Sequence, residues 1–174
     1  MRIVIATPLY PPDTAPQASY VKELATRLSA LHQVTIVAYG SYPEAIPGVR
    51  IVPVSKHQPK LLRLLAFFWV LYRETRSAEV LYAENGPSVE LPVGLLVRLS
   101  PLKLVVHLGD QPAHVRAARL EHFMTSRASN IVSDIPLPRP EILPFTPYPE
   151  EALRTYEASW QEHMAMLTTL FTHD

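Results

Sequence analysis

Residues 3–38, IVIATPLYPPDTAPQASYVKELATRLSALHQVTIVA, alternate between short apolar runs and one amphipathic stretch. Ile3 to Ala6 is a short apolar run closed by Thr7-Pro8, which predicts a buried first strand. After a loop over Leu9 to Pro16, apolar residues recur at Val21, Leu24, Ala25, Leu28 and Leu31. Steps of three and four place them on one helical stripe. Val34 to Ala38 is again a short, β-branched apolar run, and predicts the second strand. One strand, one amphipathic helix and a second strand make a βαβ unit, whose strands lie parallel.

The same alternation continues outward. Val49 to Val54, Val80 to Ala83 and Leu104 to Leu108 read as further strands. Leu61 to Tyr72 and Val89 to Leu99 read as helices, the second bent at Pro92, whose ring removes a backbone donor. The expected fold is α/β: a single Rossmann-like, doubly wound, mostly parallel sheet with helices on both faces. In such sheets ligands collect at the carboxyl ends of the strands. That rim carries the loops after Ala6, Ala83 and His107.

Leu61 to Tyr72 is apolar almost all round, with Phe67, Phe68 and Trp69 at its centre and basic residues at the edges of the segment Lys56 to Arg76. This uniformity predicts a helix buried against the sheet. The alternative is peripheral contact with a membrane surface. Six prolines between Pro136 and Pro149 predict an extended connector without a regular element. Beyond it, Leu153, Tyr156, Trp160, Met164, Leu167 and Phe171 repeat at helical spacing. The division expected is therefore residues 1–135 as the sheet domain, 136–149 as a connector and 150–174 as a helix docked on that domain.

Composition narrows the function classes. Sixteen Lys and Arg balance sixteen Asp and Glu, so the chain lacks the basic excess of a nucleic-acid binder. The absence of cysteine removes disulfides, thiolate zinc sites and a cysteine nucleophile. Apolar residues at 48% and charged residues at 18% suit a compact core, and no apolar run is long enough to span a bilayer, which predicts a cytoplasmic protein. His107, His114 and His122 lack the spacing of a metal set, so no metal is expected. No G-x-G-x-x-G follows the first strand and no G-x-S-x-G occurs, so neither a dinucleotide cofactor nor a serine nucleophile elbow is expected.

Three segments carry a family resemblance: IVIATPLYPPDTAPQASYVKELATRL (3–28), ELPVGLLVRL (90–99) and KLVVHLGD (103–110). In this order the sequence over residues 1 to 115 resembles the N-terminal domain of family 4 glycosyltransferases of the GT-B fold. Members of that family open with YPPDxGGPATYVKxLA and carry KxVxKxxGDYAWE on the fifth strand. The resemblance implies an acceptor-side domain facing a separate donor-binding domain across a cleft. It also implies polar cleft residues at the rim. His107 and Asp110 are the catalytic candidates, and Asn85, Gly86, Gly109, Pro12 and Ser19 the acceptor-binding ones. Asp110 has two readings: a base for an acceptor hydroxyl, or an N-cap for the helix that follows. Asn85 and Gly86 also suit a plain turn, and His107 also suits a hydrogen-bonded histidine at a strand end. The family's glycine pair falls on Ala15 and Pro16 here, and proline offers no N–H to a phosphate. GDYAWE is replaced by Gly109-Asp110-Gln111-Pro112-Ala113-His114.

With about half the length of a two-domain enzyme, the chain is expected to be the acceptor-side half of a sugar transferase. Its partners would be a separate donor-binding subunit and a sugar or lipid-linked acceptor, and the chain alone would be inactive. The rival expectation is a non-catalytic pseudoenzyme or interaction module.

Overall fold

The structure is a computed structural model that describes residues 1–109, 115–133, 142–144 and 153–172. Its elements are β1 (Arg2–Thr7), α1 (Pro16–Ser29), β2 (Gln33–Tyr39), β3 (Val49–Val54), α2 (Lys60–Thr75), β4 (Val80–Glu84), α3 (Pro87–Leu99), β5 (Lys103–Leu108), α4 (Val115–Thr125), β6 (Asn130–Ser133), β7 (Ile142–Pro144) and α5 (Leu153–Thr172). The seven strands form one sheet in the order β3-β2-β1-β4-β5-β6-β7. Every neighbouring pair is parallel. The chain winds outward from β1 to β3, then returns to the other side of β1. The boundary between β1 and β4 is thus the topological switch point.

Strand periodicity sorts the core into two layers. On one face Ile3, Ile5, Val80, Tyr82 and Val105 pack with Tyr20, Val21, Leu24 and Leu28 of α1 and Trp160, Leu167 and Phe171 of α5. On the other, Val4, Ala6, Leu81, Ala83, Leu104 and Val106 meet Phe67 and Leu71 of α2, Val89, Val93 and Leu96 of α3, and Met124 of α4. Successive strand residues point to opposite faces, so one uninterrupted apolar run serves both layers. Gly94 lets α3 and α4 approach closely: a Cβ there would lie 2.5 Å from the Phe123 ring.

The structure departs from the sequence pattern at four places. Leu31 falls beyond the end of α1 and is exposed, because the helix stops at Ser29 and the chain turns into β2. The proline-rich segment is not free of regular structure, since Ile142–Pro144 pairs in parallel with Ile131–Ser133. Strand β6, short and half polar, has no clear apolar run and was not anticipated. The helix of Leu61 to Tyr72 is not buried all round: Leu61, Leu62, Leu65 and Trp69 face outward. Pro92 is accommodated inside a continuous α3 and is itself buried. Asp110, His114 and the side chains of Leu153 and Tyr156 lie outside the described residues, as does most of 136–149.

Candidate functional site

The carboxyl ends of β4 and β5 place two titratable side chains together. Glu84 and His107 are register partners across the β4–β5 ladder. Both follow the parity of Tyr82 and Val105, and so face the α1/α5 layer. His107 Nδ1 lies 2.9 Å from each Glu84 carboxylate oxygen. Both side chains are only 1% exposed. With the carboxylate accepting from Nδ1–H, Glu84 orients the ring so that Nε2 is the nitrogen directed away from the carboxylate.

Two further elements enclose this pair. Tyr20 of α1 stacks against the His107 ring, with centroids 4.7 Å apart, and against Trp160 of α5 at 5.6 Å. Its hydroxyl lies 2.7 Å from the Tyr82 hydroxyl and 2.7 Å from His163 Nε2. Burial holds the His163 imidazole down to about 3, with the neighbouring His107 adding to the effect, so His163 is neutral near pH 7. Arg27 lies over the Trp160 ring at 4.9 Å and forms a bidentate pair with Glu157, each bond 2.8 Å. These contacts fasten α5 to α1 directly above the dyad.

A second polar group sits on the adjoining loop. The Asn85 backbone N–H donates to the His107 carbonyl at 2.9 Å, and its side-chain Oδ1 accepts from the Gly109 N–H at 3.1 Å. Its side chain also bonds Glu121 of α4. Glu90 of α3 turns back to accept from the Gly86 N–H at 3.2 Å. Its other oxygen has no partner among the described residues. Burial pushes the Glu90 carboxyl up to about 7, and Glu121 is raised by the same cause. Gly86 is fixed by close approach, because a Cβ would lie 2.9 Å from the Pro8 ring carbon Cγ. The loops after β1 and β4 therefore touch at the switch point.

Of the residues singled out from the sequence, His107, Asn85, Gly86 and Gly109 form one connected group. Pro12 lies elsewhere. It lines a cavity of about 250 Å³ at the ends of β1, β2 and β3, together with Tyr10, Asp13, Tyr39, Tyr42 and Lys56. Ser19 is exposed on α1, one position before the inward-facing Tyr20. Glu84, Tyr20, Tyr82, Glu90 and His163 were not anticipated. Two carried a signal: Glu84 closes an otherwise apolar strand, and His163 interrupts the apolar stripe of α5 one turn after Trp160. Among the described residues no three His, Asp or Glu side chains are grouped to hold a metal ion.

No family model matches this sequence, and no curated protein matches it either. Solved structures do share its fold. Anabaena HepE in complex with UDP superposes with a TM-score of 0.58 at 15% identity, over 77% of this chain and 38% of that one. The UDP-GlcNAc 2-epimerase of Methanocaldococcus jannaschii gives 0.54 at 7% identity, over 76% and 39%. The C-terminal domain of the coenzyme A biosynthesis bifunctional protein CoaBC gives 0.56 at 10% identity, over 97% and 95%. The chain thus spans less than half of the first two proteins and nearly all of the third domain. At these identities the likeness establishes a single Rossmann-like α/β fold with a parallel sheet.

Proposed function

We propose that this chain is the acceptor-side half of a sugar transferase, and that the donor-binding half lies outside these 174 residues. The observation that carries the reading is the Glu84–His107 dyad at the carboxyl ends of β4 and β5, beside the switch point. Two of the structural neighbours add support: one is bound to UDP and the other is named for UDP-GlcNAc, and this chain matches only part of each. In the proposed role Glu84 fixes the tautomer and orientation of His107. The imidazole Nε2 then takes the proton of an acceptor hydroxyl as its oxygen bonds to the anomeric carbon of the donor sugar, while the bond from that carbon to the nucleoside diphosphate breaks and the diphosphate leaves with the electron pair into the donor-binding half. Asp110 is the second candidate for that base. Asn85 and Gly109 hold the loop beside it.

A specific observation favours the rival reading as an interaction module: His107 is enclosed under Tyr20, beside α5, and offers almost no surface to an acceptor. One experiment separates the two. Membranes from a strain lacking this protein are supplied with radiolabelled UDP-GlcNAc or GDP-mannose, and purified chain is added back. The transferase reading expects sugar incorporation into the lipid or polymer fraction to be restored by wild type and lost in His107→Ala where His107 is the base, or in Asp110→Asn where Asp110 is. Restoration by both variants removes these bases from the reaction. Incorporation that never depends on the chain assigns it to the interaction class. Titration of the isolated chain with UDP-GlcNAc is expected to show no low-micromolar binding.

A further inference from the structure

The cavity of about 250 Å³ at the ends of β1, β2 and β3 is a place that the dyad does not use. The sheet order puts β2 two to three strand spacings, roughly 12 Å, from the Glu84–His107 pair, so the two are separate sites. Contacts between its loops set the shape of the cavity. The Glu44 N–H donates to the Pro11 carbonyl at 3.1 Å, and the Tyr10 hydroxyl donates to the Glu44 carbonyl at 3.0 Å. These bonds join the loop after β2 to the loop after β1. Lys56 Nζ donates to Asp13 at 2.8 Å and ties in the loop after β3. A Cβ added at Gly40 would meet nothing within 4 Å, so open space reaches the backbone at the end of β2.

The lining divides by chemistry. Tyr10, Tyr42 and the prolines Pro11, Pro12, Pro43 and Pro53 supply ring carbons. The hydroxyls of Tyr10 and Tyr39 are spent on the carbonyls of Glu44 and Ser88, which leaves these walls apolar. Tyr42 is 88% exposed, so its ring is open to a ligand. Charge enters through Asp13, Lys56 and His57, the last two adjacent in the chain, with Ser41 next to Tyr42. An ammonium group has three N–H donors, and Asp13 takes one, which leaves two for an anion. A free sugar carries hydroxyls all round its ring and needs polar partners on every side, whereas this lining concentrates its charge at one ion pair and its neighbour. The match is a ligand that is flat and apolar at one end and anionic at the other. Apolar walls with a few polar groups that fix orientation are the usual make-up of a small-molecule site, and the carboxyl ends of parallel strands are its usual place.

We propose that this cavity binds a nucleoside monophosphate, with the base against Tyr42 and the proline walls, the ribose hydroxyls on Asp13, and the phosphate on Lys56 and His57. The proposal does not rest on the transferase reading, whose base lies at the other end of the rim. Aromatic side chains take any base through its π-face, and a purine offers the larger face, so adenosine 5′-monophosphate is the probe. Isothermal titration of the full chain is expected to show binding of this nucleotide, with adenosine and ribose 5-phosphate each at least fivefold weaker. Tyr42→Ala, at an exposed position, should weaken nucleotide binding at least fivefold. Lys56→Gln should reduce the nucleotide to the affinity of adenosine. Both variants should keep the wild-type circular dichroism spectrum. Absence of nucleotide binding overturns the proposal, as does binding that is equal in wild type and both variants. Ribose 5-phosphate binding as tightly as the nucleotide would reduce the site to a bare anion contact and overturn it too. N-Acetylglucosamine bound in place of the nucleotide, and lost in Tyr42→Ala, would assign the cavity to a sugar instead.

Discussion

Replacing His163 by Gln tests whether α5 seals the dyad layer as the geometry requires. His163 Nε2 is 2.7 Å from the Tyr20 hydroxyl, and burial, with a smaller contribution from His107, holds the imidazole at about 3. In the unfolded chain the same group titrates near about 6.5. Between those values the unfolded state binds a proton that the folded state refuses, so stability is full above about pH 6.5 and falls as pH drops. The slope is about 1.4 kcal/mol per pH unit, or about 2.7 kcal/mol between pH 6.5 and 4.5. Glu90 works in the opposite sense. Burial raises it to about 7, so the folded state keeps a proton that the unfolded state releases, and its contribution grows as pH falls toward about 4.5. The two windows overlap, so the wild-type profile from these groups should be nearly flat there. The difference between wild type and His163→Gln removes Glu90 from the comparison, because Glu90 is common to both. Urea denaturation followed by circular dichroism, stepped from about pH 7.5 to about pH 4.5, should show the wild-type advantage shrinking by about 2.7 kcal/mol below about pH 6.5. A difference that stays constant across that range refutes the buried, neutral imidazole and the docking of α5 that produces it.

Two further outcomes are expected. Trp160→Ala should cost about 3–5 kcal/mol in urea denaturation, because the indole is 1% exposed and stacked on Tyr20; a change under about 1 kcal/mol would show that α5 is not docked. Gly94→Ala should give a net loss of about 1–2 kcal/mol, since overpacking against Phe123, whose ring is backed by Arg98 at 3.7 Å, outweighs the better helix propensity of alanine. The loss should largely disappear in a Phe123→Leu background, and a loss that persists there would refute the steric origin.

The elements themselves were legible in the sequence wherever one local pattern sufficed. Five of the strands and the stripe of α5 follow from runs and spacings within a dozen residues, because side-chain direction repeats with a fixed period along each element. The β-α alternation then restricts the sheet to parallel pairing, which puts the rim at His107 and Asn85. The three-residue β7 escaped because its proline-rich surroundings carry no periodicity.

Pairing and coverage arise only in the folded chain. Glu84 and His107 are 23 positions apart and meet because the β4–β5 register makes them neighbours on one face. Tyr20 and His163 are 143 positions apart and meet because α1 and α5 share the layer above that face. No local pattern encodes either partner, and it is the partners that fix the tautomer of His107 and the neutrality of His163. Helix α2 shows the same limit from the other side. Its sequence states that nearly every face is apolar, but a helix packed on a sheet has only one face against it. Which of its leucines are covered depends on the neighbours the fold supplies, and α3 and the sheet reach Phe67 and Leu71 while leaving Leu61, Leu65 and Trp69 open to solvent.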